Sequence, residues 1–277
     1  MSGTPQGGIA SPTFLNLTLS GLEEAVIRSI SKRKDKVNLS IYADDFIITG
    51  STKEVLEQKV KPVVETFLRE RGLELSKEKT KITHIDDGFD FLSVNVRKYN
   101  GKYISKPSKE SVKTFLDDIR ETIKSNPTAK TENLINLLNP KIRGWANYHK
   151  YSCAKKTFGY IDYCIYKALW RWIHRRHTRK SARWLKKKYF RCHKLRNWIF
   201  AAKIKSKGKG IATYVDLLAA SSIAIKRHIK IKTDATPFDP RYVEYFEKRE
   251  RFSSIPVLEW SNGFESRYVP NVSEQMG

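Results

Sequence analysis

Cysteine is scarce in this chain, and its placement excludes several kinds of protein. The 277 residues contain three cysteines, and no two of them form a CxxC pair. An odd number cannot complete a disulfide framework, so we expect a reducing compartment. A zinc site could be drawn from His174, His177, Cys192 and His193. Without a CxxC anchor, however, histidines on the surface are the favoured interpretation.

Long apolar runs are also missing. No stretch approaches the length of a membrane span, and the N-terminal residues lack the apolar segment of a signal peptide. We therefore expect a soluble, cytoplasmic protein with no membrane partner.

Acidic residues are few relative to basic ones, and the imbalance is local. The chain has 53 Lys/Arg and 29 Asp/Glu, a net charge of +24. Residues 101–200 alone carry 25 basic and 6 acidic residues, whereas residues 1–100 carry 15 and 14. Aromatic residues, 12% of the chain, are interleaved with these charges. The pattern predicts a phosphate-binding surface, and a merely solvated basic face is the alternative.

The first 105 residues mix helix and strand patterns, which indicates an α+β fold. Ser51-Thr52-Lys53-Glu54 has the form of a capping box, and Gly72 is placed to end the helix that the box opens. In chain order the predicted elements are a helix from Thr13 to about Lys32, strands over 37–42 and 46–49, a helix over 51–71 kinked at Pro62, strands over 81–85 and 89–96, and a turn over 99–102.

After Pro107 the pattern becomes mainly helical, with helices predicted over 108–124, 131–151 and 155–177. A Lys/Gly/Ser run over 203–210 predicts a loop or linker. Together with the charge jump near 105, this gives predicted domains of 1–105, 106–200 and 201–277. The third helix should bury one face, made of Phe158, Ile161, Ile165, Leu169 and Trp172. On another face, basic residues recur every fourth position and form what we call the basic ladder: Lys167, Arg171, Arg175 and Arg179.

Two adjacent acids lie at the tip of the first predicted hairpin, in Tyr42-Ala43-Asp44-Asp45. Carboxylates held together in a tight turn suit Mg²⁺, which prefers oxygen ligands and leaves room for substrate phosphates. Paired Mg²⁺ ions support nucleotidyl transfer. Taken alone, the tetrapeptide fits an ordinary polar β-turn equally well.

Three further motifs accompany this tetrapeptide in a fixed order. GTPQGGIASP occupies 3–12, GLELSKEKT occupies 72–80 and FDFL occupies 89–92. The ordered set, over about residues 2–190, resembles the later polymerase motifs of group II intron reverse transcriptases. The resemblance implies an α+β fold made of a partial reverse-transcriptase palm followed by a mainly helical thumb/maturase domain.

By this resemblance, Asp44 and Asp45 bind the catalytic Mg²⁺ ions and Phe91-Leu92 lies near the primer grip. Ser93 departs from the pattern, because the family has Gly there. The resemblance also implies template and nucleotide contacts for Gln6, Gly7, Gly8 and Lys79.

The family carries fingers and a third metal-binding Asp ahead of the PQGG motif, and the sequence starts almost on that motif. We therefore expect a member of the RNA-directed DNA polymerase family that is inactive by itself, with the fingers supplied by a complementing fragment if at all. Two alternatives remain open. One is a non-catalytic RNA-binding splicing factor in which Asp44 and Asp45 are relics, and the other is a reverse transcriptase with a role in defence or elsewhere outside introns.

The segment Lys141–His149 resembles the start of the maturase (thumb) domain, which in this family grips intron RNA and assists splicing. RNA contacts are predicted for Arg143, Trp145 and the basic ladder, and core packing is the alternative for Trp145. Residues 224–247 resemble the DNA-binding segment that follows, and 250–277 hold no Cys or His, so no HNH endonuclease is expected. The implied partners are intron RNA, an RNA template with a DNA primer, and target DNA, in the bacterial cytoplasm near the nucleoid.

Overall fold

The structure is a computed structural model that describes residues 10–30, 34–76, 78–193, 196–204, 213–226, 235–236 and 238–254. The chain divides into two compact units. Within the described residues, one unit comprises 10–88 and Lys98–Tyr103, and the other comprises Phe89–Arg97 and 104–254. The mixture of helix and strand agrees with the predicted α+β class.

The first unit begins with two short helices rather than one. Helix α1 (Ser11–Leu19) and helix α2 (Leu22–Arg28) are separated at Gly21, whose φ is 88°. The single helix predicted from Thr13 to about Lys32 was therefore wrong, because Gly21 adopts a left-handed conformation that ends the first helix. Leu19, Leu22 and Val26 enter the core of this unit.

The predicted hairpin is confirmed. Strand β1 (Asn38–Tyr42) pairs antiparallel with strand β2 (Asp45–Thr49), in a register that sets Tyr42 opposite Asp45. Leu39, Phe46 and Ile48 pack against the core of the unit, and this contact orients the hairpin.

The next helix has an irregular first half. A π-helical segment (Val55–Val60) leads into α3 (Lys61–Arg69). Pro62 lacks an N–H and crowds the preceding turn, and a π turn is wider than an α turn. The kink predicted at Pro62 stays a prediction. The cap is formed by Thr52 rather than Ser51, because Thr52 Oγ1 accepts from the Val55 N–H at 3.3 Å. Residues 81–84 form no strand, which contradicts the strand predicted over 81–85.

Along the chain, strands β3 (Phe89–Phe91), β4 (Val94–Tyr99) and β5 (Lys102–Pro107) follow and form a three-stranded sheet. The single strand predicted over 89–96 is in fact a hairpin with a turn at Leu92-Ser93, where φ is 46° and 64°. The turn predicted over 99–102 is confirmed, since β4 ends at Tyr99 and β5 begins at Lys102.

Three long helices follow close to their predicted bounds: α4 (Lys109–Lys124), α5 (Thr131–His149) and α6 (Lys155–Arg176). Ser108 caps α4, with its Oγ accepting from the Ser111 N–H at 3.1 Å. All five residues predicted on the inner face of α6 are buried in the main core. That core also takes in Phe115 and Ile119 of α4 and Leu134 and Leu138 of α5.

A second three-stranded sheet, which the sequence patterns did not predict, follows α7 (Ala182–Tyr189). It consists of β6 (Phe190–His193), β7 (Arg196–Ile204) and β8 (Thr213–Asp216) in that order. Lys203 and Ile204 therefore lie in a strand rather than in the predicted loop, whereas 205–212 lie outside the described residues. A 3₁₀ turn (Ala220–Ser222), another at Pro240–Tyr242 and helix α8 (Val243–Ser254) complete the described chain.

Candidate acidic hairpin and nucleic-acid interface

The two candidate metal-binding acids lie at the tip of the β1–β2 hairpin. Ala43 and Asp44 form the loop, Asp45 begins β2, and all three are exposed. Ala43 has a φ of 53°, which an alanine adopts at a cost of about 1–2 kcal/mol. Strained turns of this kind often occur at functional sites because they fix the direction of neighbouring side chains.

This tip presents two carboxylates to solvent, a set that fits Mg²⁺ when substrate phosphates supply further oxygens. In the part of the chain that the structure describes, no three His, Cys, Asp or Glu side chains are grouped to hold a metal.

Of the other predicted nucleotide contacts, the structure describes only Lys79. Lys79 is exposed in an irregular segment, where its N–H donates to Ser76 Oγ at 3.4 Å. Gln6, Gly7 and Gly8 lie outside the described residues. Their roles, and that of Lys79, stay predictions.

The basic ladder lies on the solvent side of α6. Lys167, Arg171 and Arg175 are exposed one turn apart, and Arg179 is exposed in the turn that follows the helix. Arg171 donates from Nε to the Lys167 carbonyl oxygen at 3.3 Å, and Lys167 Nζ lies 4.9 Å from the centre of the Tyr163 ring. Because the opposite face of α6 is buried in the core, the ladder is held outward.

A neighbouring arginine has a structural role instead. Arg176 donates from Nη1 to the Ala129 carbonyl oxygen at 2.6 Å, and its guanidinium lies 4.4 Å from the centre of the Trp172 ring. The four-residue spacing places Arg175 in the ladder and leaves Arg176 out, and these contacts show what Arg176 does instead.

Trp145, a predicted RNA contact, is packed into the core. Its ring stacks on Phe115 at 4.9 Å between centroids, and its Nε1 donates to Ser111 Oγ at 3.3 Å. His149 lies 4.3 Å from the same ring. These contacts favour the core-packing alternative for Trp145. Arg143, on the same helix, is exposed.

Tyr148, in the segment that resembles the start of the maturase domain, is an aromatic residue that could stack on a base or sugar of RNA. Its ring is 56% exposed, and its hydroxyl donates to the Leu92 carbonyl oxygen at 2.6 Å. Helix α5 is thereby connected to the turn that follows the FDF strand, the segment proposed to lie near the primer grip.

None of the helices that the structure describes combines the length and apolar content needed to cross a membrane.

Comparison with known proteins gives two family matches in succession. Residues 1–96 match the model for reverse transcriptase (RNA-dependent DNA polymerase), and residues 112–190 match the model for the group II intron maturase-specific domain. A similar protein is Protein YkfC of Escherichia coli (strain K12), 26% identical over 132 residues that cover 36% of this chain and 34% of that protein. The chain thus spans about a third of the length of this curated relative.

The first match contains the acidic hairpin, and the second contains most of α4, all of α5, α6 and α7, and the basic ladder. This order, a polymerase segment followed by a maturase-specific segment, confirms the family predicted from the motifs. The chain belongs to the group II intron reverse transcriptase/maturase family.

Proposed function

We propose that the second unit, which contains α4 to α7 and is called the helical unit below, binds group II intron RNA and thereby assists splicing. The observation that supports this most strongly is the basic ladder, which is exposed on a helix inside the maturase-specific segment. Lys and Arg side chains spaced one helical turn apart on a fixed surface can each displace a counterion from an RNA phosphate. Arg143 and the ladder are the proposed contacts.

We further propose that the hairpin belongs to an RNA-directed DNA polymerase site, with an RNA template, a DNA primer and target DNA as additional partners. Asp44 and Asp45 would hold Mg²⁺, which neutralises charge on the nucleotide phosphates. The strained turn at Ala43 fixes both carboxylates at the tip, so they would need little reorganisation to bind the ion. Gln6, Gly7, Gly8 and Lys79 would contact the template and the nucleotide. That this chain alone gives no primer extension stays a prediction.

RNA binding can be tested by measuring the affinity of the full chain for a group II intron transcript over a range of salt concentrations. Replacing Arg171, Arg175 and Arg179 with Ala should weaken binding and lower the slope of log K against log salt by about one unit per arginine. A matched variant removes the same charge from exposed positions of α4, namely Lys109, Lys113 and Lys124. Equal effects of both variants would show that net charge alone drives binding and would contradict the proposal.

Metal binding can be tested without an activity assay. Mn²⁺, a paramagnetic substitute for Mg²⁺, should broaden the backbone amide signals of Ala43, Asp44 and Asp45. The double change Asp44→Asn, Asp45→Asn should abolish this broadening. The same change at Asp86 and Asp87, another adjacent pair of exposed acids in a turn, should leave it intact. Broadening that persists without Asp44 and Asp45 would favour the alternative in which these acids are relics.

A further inference from the structure

Trp198 lies in β7 in a conformation that a large side chain seldom adopts. Its φ is 60°, in the left-handed region, and its side chain is 42% exposed. The strand pairing explains this geometry. Arg191 lies opposite Ile199 and His193 opposite Arg196, so Asn197 and Trp198 together face Cys192 alone. This is a β-bulge, a feature that redirects a side chain out of the regular alternation of a strand.

The exposed ring is held from the protein side by other aromatic rings. The centroid of Trp198 lies 6.2 Å from that of Tyr166, 6.1 Å from that of Trp170 and 5.6 Å from that of Phe190. The ring planes are inclined by 84°, 60° and 62°, and the pairs with Tyr166 and Phe190 are packed edge to face. Tyr166 and Trp170 come from α6 and Phe190 comes from β6, so two elements fix the position of the ring.

A cation covers the Trp198 ring. Lys186 of α7 places its Nζ 4.1 Å from the ring centroid. The surrounding sequence is rich in basic residues: residues 163–215 contain 17 Lys/Arg and no Asp or Glu, and Asp216, just beyond this stretch, is ion-paired with Arg191. A rigid, partly exposed indole among cations with no acidic neighbour in that stretch is complementary to a group that is both flat and anionic.

We propose that Trp198 is a stacking platform for an unpaired base of single-stranded RNA, with Lys186 moving from the ring to the adjacent phosphate. A nucleotide in a single strand offers an open aromatic face and a negative charge within reach of each other, whereas the bases of a duplex are stacked on one another. An exposed cation–π contact is weaker than base–aromatic stacking, so a base can displace the flexible Lys186 side chain. An acidic peptide would form ion pairs with the lysines but would have no flat ring to stack on the indole.

This site rests on the proposed RNA binding of the helical unit, and it adds a second kind of contact to it. The basic ladder would bind phosphates of any RNA, whereas Trp198 would select unpaired nucleotides. The two contributions are separable by their salt dependence, because stacking releases no counterions and each phosphate contact does.

The test measures anisotropy of the full chain with a labelled single-stranded 12-nucleotide oligoadenylate and with an RNA duplex of the same length, over a range of salt. Trp198→Leu should weaken single-strand binding about tenfold or more without changing the salt slope. Lys186→Met should lower that slope by about 0.7. The affinity of Trp198→Leu for the duplex should stay within about twofold of wild type, because a duplex offers no unpaired base that could stack on Trp198. Tyr160→Leu, a control change at an exposed aromatic residue of α6, should bind both RNAs like wild type.

Trp198→Phe retains an aromatic face and should recover most of the single-strand affinity, which separates stacking from a loss of folding. The proposal is overturned if Trp198→Phe binds the single strand as weakly as Trp198→Leu does. It is also overturned if Trp198→Leu binds the single strand like wild type, or loses affinity for the single strand and the duplex equally. If RNA binding depends on the basic ladder but not on Trp198, the stacking proposal is wrong and the proposed RNA-binding function still holds. If the wild-type chain binds no RNA, the proposed function fails with it.

Discussion

Single residues in this chain carry backbone strain that a sequence pattern does not reveal. Leu92 and Ser93 both adopt positive φ in the turn between β3 and β4, where glycine would be the unstrained choice. The resemblance had marked Ser93 as a departure from the family's Gly, and its φ of 64° gives the physical reason why Gly is suited to that position. Two hydrogen bonds fix the turn, from Tyr148 Oη to the Leu92 carbonyl oxygen and from the Ser108 N–H to the Ser93 carbonyl oxygen.

Ser93→Gly should therefore stabilise the helical unit. Removing Cβ at a left-handed residue stabilises the fold by about 1–2 kcal/mol. The greater freedom of glycine in the unfolded chain destabilises the fold by about 0.5–1 kcal/mol. We expect a net gain of up to about 1 kcal/mol in the free energy of unfolding, measured by urea denaturation. Ser93→Ala keeps Cβ and removes only the hydroxyl, so it should not be stabilising. A gain with Ala as large as that with Gly would show that strain at Cβ is not the cause.

His149 is a second residue whose role emerges only from packing. Its side chain is almost fully buried at the end of α5, with Nε2 3.2 Å from Ser111 Oγ. Nδ1 has no hydrogen-bond partner among the described residues. Burial lowers the pKa of His149 from 6.5 to about 4, because the imidazolium would lose its hydration there.

The stability of the helical unit should consequently fall in mildly acidic solution. The folded-state pKa lies below the unfolded value, so stability is fully present above pH 6.5 and is lost as the pH falls towards 4. The loss attributable to this residue should reach about 3 kcal/mol, measured as the free energy of unfolding at intervals across that window. His149→Gln should remove this part of the pH dependence. His84→Gln, at an exposed histidine, should keep it. A slope that is the same in both variants would contradict this role for His149.

At the scale of elements, the sequence predicted helices correctly where a long periodic pattern of apolar residues is buried in the core. It failed where backbone geometry, such as a bulge or a tight turn, determines the structure. The inner face of α6 was predicted residue by residue, because five apolar side chains at helical spacing can be buried together in only one way. The strand predicted over 81–85 does not form, and the sheet of β6, β7 and β8 was missed. In β7 the bulge at Trp198 breaks the alternation that would identify a strand, and Ile199–Ala202 form a continuous apolar run that also fits a buried helix.

The candidate site divides in the same way. The hairpin tip and the outward ladder follow from short-range periodicity, so the sequence was sufficient to predict their local structure. Whether Trp145 or Trp198 faces solvent depends on tertiary packing, which no local pattern contains. The ring of Trp145 packs against Phe115 and His149. The side chain of Trp198 is directed outward by the β-bulge, a single extra residue in β7.

A segment beyond residue 200 is attached to the helices by specific hydrogen bonds. Asp162 of α6 accepts from the Ala220 and Ser221 N–H groups at 2.7 and 3.0 Å, and thereby caps the 3₁₀ turn. Asn139 of α5 accepts from the Leu218 N–H at 2.7 Å and donates to the Asp216 carbonyl oxygen at 2.9 Å. Ala220 is buried beneath these contacts.

Asp162→Ala should loosen this segment. Both backbone donors would lose their acceptor, which costs about 1–3 kcal/mol for buried groups. We expect faster amide exchange at 217–223 and a lower free energy of unfolding. Asp162→Asn retains one acceptor oxygen and should have a smaller effect. Exchange at 217–223 that is unchanged in Asp162→Ala would mean that the apolar contacts alone hold the segment.

At the scale of the whole molecule, the two units differ in how much apolar surface each element buries. The helices α4, α5 and α6 share a core in which Leu134, Ile135, Leu138 and Ile142 are fully buried. The hairpin of β1 and β2 contributes only partly buried side chains to its own core, and Ile41 is 40% exposed. A two-stranded sheet has little stability of its own and relies on the contact of one face with its unit.

We therefore expect amide hydrogen exchange on the purified chain to separate the two regions. Amides in 109–124, 131–149 and 155–176 should exchange only through global unfolding of the helical unit, because their hydrogen bonds are covered by the shared core. Amides in 38–49 should exchange through local opening at a smaller free energy, and low concentrations of urea should hardly change their rates, since local opening exposes little surface. Phe46→Ala, which removes a core contact of the hairpin, should speed exchange over 38–49 and leave the helices unaffected. Near-global protection over 38–49, equal to that of α5, would contradict this view and would require the hairpin to be covered by contacts stronger than those of Leu39, Phe46 and Ile48.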